Sequence, residues 1–213
     1  MRSPRQVYYN LFSKVYDFII QLHSRDVEGS LRGFITVKAN LSRGDRALDL
    51  CTGTGSVVVK LAGQVGENGL VEGLDFSRGM LEKAEKKAFR LNLKQLHLVQ
   101  AYADQLPFKN LSFNGVTCSH AFYELKGDER TMAIDEVTRI LIDGGRFCLI
   151  EHAKPEKAFS RFLFYIRIFF LGAKDARKFL GEEESILGER FRNVVGQMSP
   201  TGQSKLICAE KRR

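Results

Sequence analysis

The sequence predicts an α/β fold in which a largely parallel sheet is covered by helices on both faces, and two observations carry that expectation. Strand-like and helix-like apolar periodicities alternate through residues 46–152, and the first strand runs into a glycine turn, Cys51-Thr52-Gly53-Thr54-Gly55, that opens a helix.

The elements follow in order. Val7, Leu11, Val15, Phe18 and Leu22 recur at helical spacing, so the first forty residues read as helices laid over the sheet. Arg46–Leu50 is a short apolar run, and beyond the glycine turn Val57, Val58, Leu61 and Ala62 share one helix face. Leu70–Asp75 is a second strand, after which Ser77 can cap a helix carrying Met80, Leu81, Ala84 and Ala88, with a solvent face rich in Lys and Glu. Further strands are expected at Leu96–Gln100, 116–119 and 147–152. The last two are separated by a helix through Met132, Val137 and Leu141 that stops at the glycine turn Asp143-Gly144-Gly145. Residues 193–208 read as two strands about the turn Ser199-Pro200-Thr201-Gly202.

A chain of 213 residues, 44% hydrophobic and 27% charged, has the composition of one globular domain. The polar start MRSPRQVYYN and the absence of an apolar run of membrane-spanning length argue against secretion and integral insertion, which predicts a cytoplasmic protein. The net charge of +8 divides into +4 over residues 1–48, −2 over 49–151 and +6 over 152–213. The two basic flanks therefore either form a solubilising surface or face something anionic. Cys51, Cys118, Cys148 and Cys208 lie far apart without a CxxC pair and read as small core residues of a reducing compartment, with neither disulfide nor metal site expected.

The chemistry is concentrated at successive strand ends. Gly53 and Gly55 let backbone N–H groups approach a ligand, but Val58 stands where a dinucleotide fingerprint has its third small residue, and no phosphate-gripping lysine follows Gly55. A ligand with a carboxylate, an amine and an adenosine, but no phosphate, fits better. Asp75 can accept from both ribose hydroxyls, and Asp104 from the adenine amino group. Asp49 can orient the turn or reach the ligand's amine through water.

At these residues the sequence resembles the class I S-adenosylmethionine-dependent methyltransferases. Leu48-Asp49-Leu50-Cys51-Thr52-Gly53-Thr54-Gly55 looks like their first motif, Gly73-Leu74-Asp75-Phe76-Ser77 like their second, and Ala103-Asp104-Gln105-Leu106-Pro107-Phe108 like their third. The resemblance spans roughly residues 8–210. It implies a Rossmann-like seven-stranded methyltransferase sheet with the final strand antiparallel. S-adenosylmethionine would be the cofactor and S-adenosylhomocysteine the product. The cofactor contacts it implies are Tyr16, Asp49, Cys51, Thr52, Gly53, Gly55, Asp75, Phe76, Met80, Ala103, Asp104, Gln105 and Ser119. One methyltransferase domain is expected over 1–213: a helical cover at 1–45, the cofactor-binding core at 46–152, a substrate lid at 153–191 and a terminal hairpin at 192–213.

Within that superfamily the chain is most similar to the ubiquinone/menaquinone C-methyltransferase family. The similar stretches are Tyr9-Asn10-Leu11-Phe12-Ser13-Lys14-Val15-Tyr16-Asp17, the Ala-Asp-Gln-Leu-Pro-Phe run, Arg139-Ile140-Leu141-Ile142-Asp143-Gly144-Gly145-Arg146, and residues 151–155. By that resemblance Tyr16 closes over the cofactor and the acceptor is a quinol-type ring carbon. One departure falls where substrate matters. After Ser119 that family has an Arg-Asn pair, whereas this chain reads His120-Ala121-Phe122-Tyr123-Glu124.

Ligands of open α/β sheets bind at the carboxyl ends of the strands, so His120 and His152 are candidate general bases, followed by Tyr123 and Glu124. The alternative for each histidine is a hydrogen-bonded structural role, which is the reading for His23 and His97. Residues 158–172 are aromatic and interrupted by Arg161 and Arg167, as in a helix that lies in a membrane interface or roofs an apolar pocket; a core helix or a homodimer contact is the alternative. The acceptor is thus expected to be a small molecule or lipid-like. A phospholipid, another N- or O-acceptor, or a non-catalytic cofactor-binding role are the rivals. Nucleic acid is not an expected partner, because no Asn-Pro-Pro-Tyr-type motif or RNA-binding module is present.

Overall fold

A computed structural model describes Gln6, Tyr9 and residues 30–153, 176–200 and 202–213. The helical cover expected around Val7–Leu22 positions, Tyr16 and the aromatic run 158–172 fall outside these residues, apart from Gln6 and Tyr9.

Seven strands form one sheet in the order β3-β2-β1-β4-β5-β7-β6. They are β1 Arg46–Leu50, β2 Leu70–Asp75, β3 Leu96–Gln100, β4 Phe113–Ser119, β5 Leu141–His152, β6 Phe191–Met198 and β7 Ser204–Lys211. Strands β1 to β5 pair in parallel, while β7 runs antiparallel to both β5 and β6, as the resemblance implied. The helices are α1 Ser30–Ala39, α2 Ser56–Val65, α3 Arg78–Arg90, α4 Glu129–Ile140 and α5 Ala176–Gly188, with a 3₁₀ turn at Phe122–Glu124.

The two-residue period of the strands divides the core. On β5, Phe147 and Leu149 face α4 and α5, whereas Cys148 and Ile150 face α1 and α2. Burying both faces is what makes these strands nearly continuous apolar runs. On the first side Val137, Ile140, Phe179 and Leu187 close the core; on the second Ile35, Val58, Leu61 and Val65 do so. Ser77 caps α3 as expected, its Oγ accepting from Met80 N at 3.3 Å.

Three expectations change. The helix α4 ends at Ile140, and Leu141 is already extended and paired with Phe113, so β5 begins six residues earlier than the hydrophobic run at 147 suggested. The glycine turn does not stop the helix; it forms an irregularity inside the strand, between the Leu141 and Arg146 pairings. Gly144 has φ 75°, and a β-carbon on Gly145 would meet Ile142 O at 2.9 Å, so only glycines permit it. Strand β4 begins at Phe113, three residues before the expected start. Finally, Cys148 and Cys208 form a disulfide rather than remaining free core thiols. They are directly opposite on β5 and β7, with Cα atoms 4.3 Å apart. Cross-strand opposition, which spacing along the chain does not show, brings them together.

Candidate cofactor and acceptor site

The chain order reverses between β1 and β4, so the loops after these strands diverge and leave a crevice at their carboxyl ends. One half of the site grows from β1 and β2. Asp49 is buried, and parallel register sets it opposite Thr117 of β4, whose hydroxyl donates to Asp49 Oδ1 at 2.6 Å. Burial is the largest influence on this carboxyl and pushes it up to about 7, against the pull of the Thr117 hydroxyl.

Beyond Leu50 the chain must turn at once, and Cys51 and Gly53 take left-handed conformations with φ 56° and 55°. A β-carbon on Gly53 would meet no atom within 4 Å, so the backbone is open to a ligand there. Gly55 differs: with φ 81°, its β-carbon would lie 2.7 Å from Ala84 Cβ, so its role is close packing of α2 on α3. Lys87 of α3 also donates to Thr54 Oγ1 at 3.1 Å, tying the turn to that helix. The turn is thereby rigid and open on one side.

Asp75 ends β2 with its carboxylate buried; Oδ2 accepts from Gly53 N and Oδ1 from Ser77 N, each at 2.8 Å. It thereby links the glycine turn to the α3 N-terminus. Phe76, next along, stacks on Tyr102 with ring centroids 6.1 Å apart and meets the edge of Tyr9 at 5.5 Å. Ala103 is buried and Asp104 half-buried just beyond Tyr102, whereas Gln105 is exposed. Met80 is buried in the first turn of α3. Thr52 is buried behind the turn, and the thiol of half-buried Cys51 adjoins that of Cys118. That hydrogen bond, followed by burial, holds the Cys118 thiol well above its ordinary range, so it is an inert core group.

The second half lies at the ends of β4 and β5. His120 has φ 52°, a left-handed conformation uncommon for a residue with a β-carbon, held by its N–H donating to Ile150 O at 2.8 Å. Its ring sits between two hydroxyls: Nδ1 is 3.1 Å from Ser119 Oγ and Nε2 is 3.0 Å from Ser204 Oγ. His152 packs on it with centroids 4.5 Å apart, and Tyr123 meets His152 at 5.6 Å. The buried Tyr123 donates its hydroxyl to Glu124, which also accepts from Tyr9.

The structure therefore places Asp49, Gly53 and Asp75 at the ends of β1 and β2 and His120 and His152 at the ends of β4 and β5, with Asp104 in the loop after β3. Thr117, Ser204 and Arg130 were not found by sequence reasoning, and Glu151 was placed only as the neighbour of His152 at the end of β5. Only strand register could have revealed the first two, as partners of Asp49 and His152. Among the described residues no group of His, Cys, Asp and Glu is arranged to hold a metal ion.

Comparison with known proteins decides which family has built such a site. A family model described as the ubiE/COQ5 methyltransferase family matches residues 4–178. The chain belongs to this family. The demethylmenaquinone methyltransferase of Oceanobacillus iheyensis is 34% identical over 195 residues, covering 90% of this chain and 80% of that one. The enzyme of the same name from Lactobacillus johnsonii is 35% identical over 158 residues, covering 72% of this chain and 64% of that one. A crystal structure of an S-adenosylmethionine-dependent methyltransferase from Aquifex aeolicus shares the fold with a TM-score of 0.62 at 17% identity, covering 84% of this chain and 89% of that one. The open backbone at Gly53 and the buried acid at Asp75 fit a ligand with ribose hydroxyls and no phosphate.

Proposed function

We propose that this methyltransferase alkylates a ring carbon of a reduced, quinone-type acceptor, with S-adenosylmethionine as donor. The observation that carries the reading is the imidazole pair His120–His152 at the ends of β4 and β5, beside the cradle formed by Gly53 and Asp75. The names of its relatives supply the acceptor class.

When bound, the cofactor supplies a methyl already activated on a sulfonium, so the protein's work is alignment, exclusion of water and removal of a proton. Asp75 takes the ribose hydroxyls, the open side of the Gly53 backbone lies along the ligand, Phe76 with Ala103 and Asp104 receives adenine, and Asp49 receives the amine. Carbon alkylation of a ring exchanges a ring hydrogen for methyl, so a base must accept one proton. His152 is assigned that role. The ring of His120 is held by Ser119 and Ser204, which suits it to orient its neighbour. Half-buried Glu124 faces the acceptor's hydroxyl groups, with the Tyr123 hydroxyl donating to it from beneath. The lipophilic acceptor is reached from the cytoplasmic face of a membrane, with residues 158–172 as the contact. Among the described residues no helix is long and apolar enough to cross a membrane.

The test is to incubate the protein with methyl-labelled S-adenosylmethionine and a fractionated cell extract, with Asp75→Ala as control. Label in the organic phase, lost in the variant, is expected. Label confined to aqueous metabolites or to RNA overturns the acceptor class. Near wild-type turnover by both His120→Ala and His152→Ala overturns the histidine assignment.

A further inference from the structure

The loop between His120 and α4 carries the residues that face the acceptor, yet its own backbone is in the core. Phe122 and Tyr123 are fully buried, and their 3₁₀ turn has no side-chain cap of its own. The first N–H groups of any helical turn lack partners within it, and leaving them unpaired in the core is costly. Here they are met from a different strand. Glu151, which directly follows the apolar run of β5 and is completely buried, accepts from Phe122 N at 2.9 Å and Tyr123 N at 3.2 Å through the single oxygen Oε1.

The carbonyls of the same turn are met from α4. Arg130, itself buried, donates to Phe122 O at 3.4 Å, Tyr123 O at 3.2 Å and Leu125 O at 2.6 Å. Its guanidinium lies over the Phe179 ring of α5 at 4.3 Å. One buried acid and one buried base thus hold two N–H groups and two carbonyls of a three-residue turn, together with the carbonyl of Leu125 just beyond it.

We propose that Glu151 is a positioning residue for methyl transfer: by gripping the backbone of Phe122 and Tyr123 it sets where Glu124, held by the Tyr123 hydroxyl, stands against the acceptor. Arg130 closes the grip from the other side. Two features support an uncharged acid in this role. Burial holds the Glu151 carboxyl well above the ordinary carboxylate range, with Glu124 and Glu183 nearby adding to the effect. Its second oxygen, Oε2, is buried and meets no hydrogen-bond partner among the described residues. A neutral carboxylic acid keeps Oε1 as an acceptor for both N–H groups at no cost of burying a charge. A glutamine would do the same work, and that distinguishes positioning from proton transfer.

The proposal rests on the acceptor reading above, so its test has one readout that needs no acceptor. Glu151→Gln and Glu151→Ala are compared with the wild type. Calorimetry with S-adenosylhomocysteine, which binds in the other half of the site, should give dissociation constants within about twofold for all three. Hydrogen exchange in the peptide containing residues 120–126 should be slow in the wild type and in Glu151→Gln, and at least about tenfold faster in Glu151→Ala, which strands two buried donors. With a demethylated quinol as substrate, Glu151→Ala should raise the acceptor KM about tenfold or more while Glu151→Gln restores it and leaves the pH profile unchanged. If Glu151→Gln is as inactive as Glu151→Ala although exchange stays slow, Glu151 is a proton-transfer group and the proposal is overturned. Unchanged exchange in Glu151→Ala overturns it as well. Wild-type protein that fails to methylate the quinol refutes the acceptor reading instead, with the exchange result still deciding the grip.

Discussion

The buried carboxyl of Asp49 couples cofactor binding to pH in a way that can be worked through from the structure. Moving this carboxyl from 3.8 to about 7 corresponds to about 4 kcal/mol of differential free energy between its two protonation states. Between those two pH values the folded protein holds a proton that the unfolded chain has released. Stability therefore falls as pH rises through this window and levels off above 7. A cationic amine beside Asp49 favours the ionised form and returns the carboxyl toward its ordinary value. Ligand binding should then weaken about tenfold per pH unit below 7, about a hundredfold in all between pH 8 and pH 5. At pH 6 binding should release about 0.9 proton. The assay is calorimetry with S-adenosylhomocysteine from pH 5 to 8 in buffers of different ionisation enthalpy. Asp49→Asn keeps an acceptor for the Thr117 hydroxyl but has no charge to titrate. It should bind weakly with a flat pH dependence, and at pH 8 it should melt several degrees higher, because a buried charge has been removed. A flat wild-type profile, or an equal slope in Asp49→Asn, refutes the coupling.

The two glycines of the turn should separate stability from binding. Gly55→Ala places a β-carbon against Ala84 in a left-handed conformation and should cost about 3 kcal/mol or more in thermal unfolding, whereas Gly53→Ala, left-handed as well but with open space around it, should cost only about 1–2 kcal/mol of backbone strain and weaken S-adenosylhomocysteine markedly. Asp75→Asn cannot accept from both Gly53 N and Ser77 N and should weaken the ligand at least about tenfold in the same titration. The Cys148–Cys208 link closes a separation of 60 residues, so the double serine variant should lose about 4 kcal/mol in denaturant unfolding. Four titratable thiols in the denatured, unreduced protein would refute that link.

Much of the site was legible because its signals are local. The glycine turn, the acid at the end of β2, Ser77 as a cap and the terminal hairpin each depend on residues a few positions apart. The β5 irregularity escaped because a glycine pair after a helix reads as a stop, and only the pairing of Leu141 with Phe113 shows that the strand has already begun. The disulfide escaped because opposition of Cys148 and Cys208 is a matter of register between strands.

By itself, then, the sequence determined the order of elements, the two-faced burial of the strands and the residue types offered at each strand end, since periodicity and turn chemistry act over a few residues. The tertiary structure alone decided what those residues do to one another. Asp49 meets Thr117 across 68 positions, His120 meets Ser204 across 84, and Glu151 reaches the Phe122 turn across 29. Desolvation and hydrogen bonding depend on which groups the sheet brings within about 3 Å, and no spacing along a chain specifies that distance.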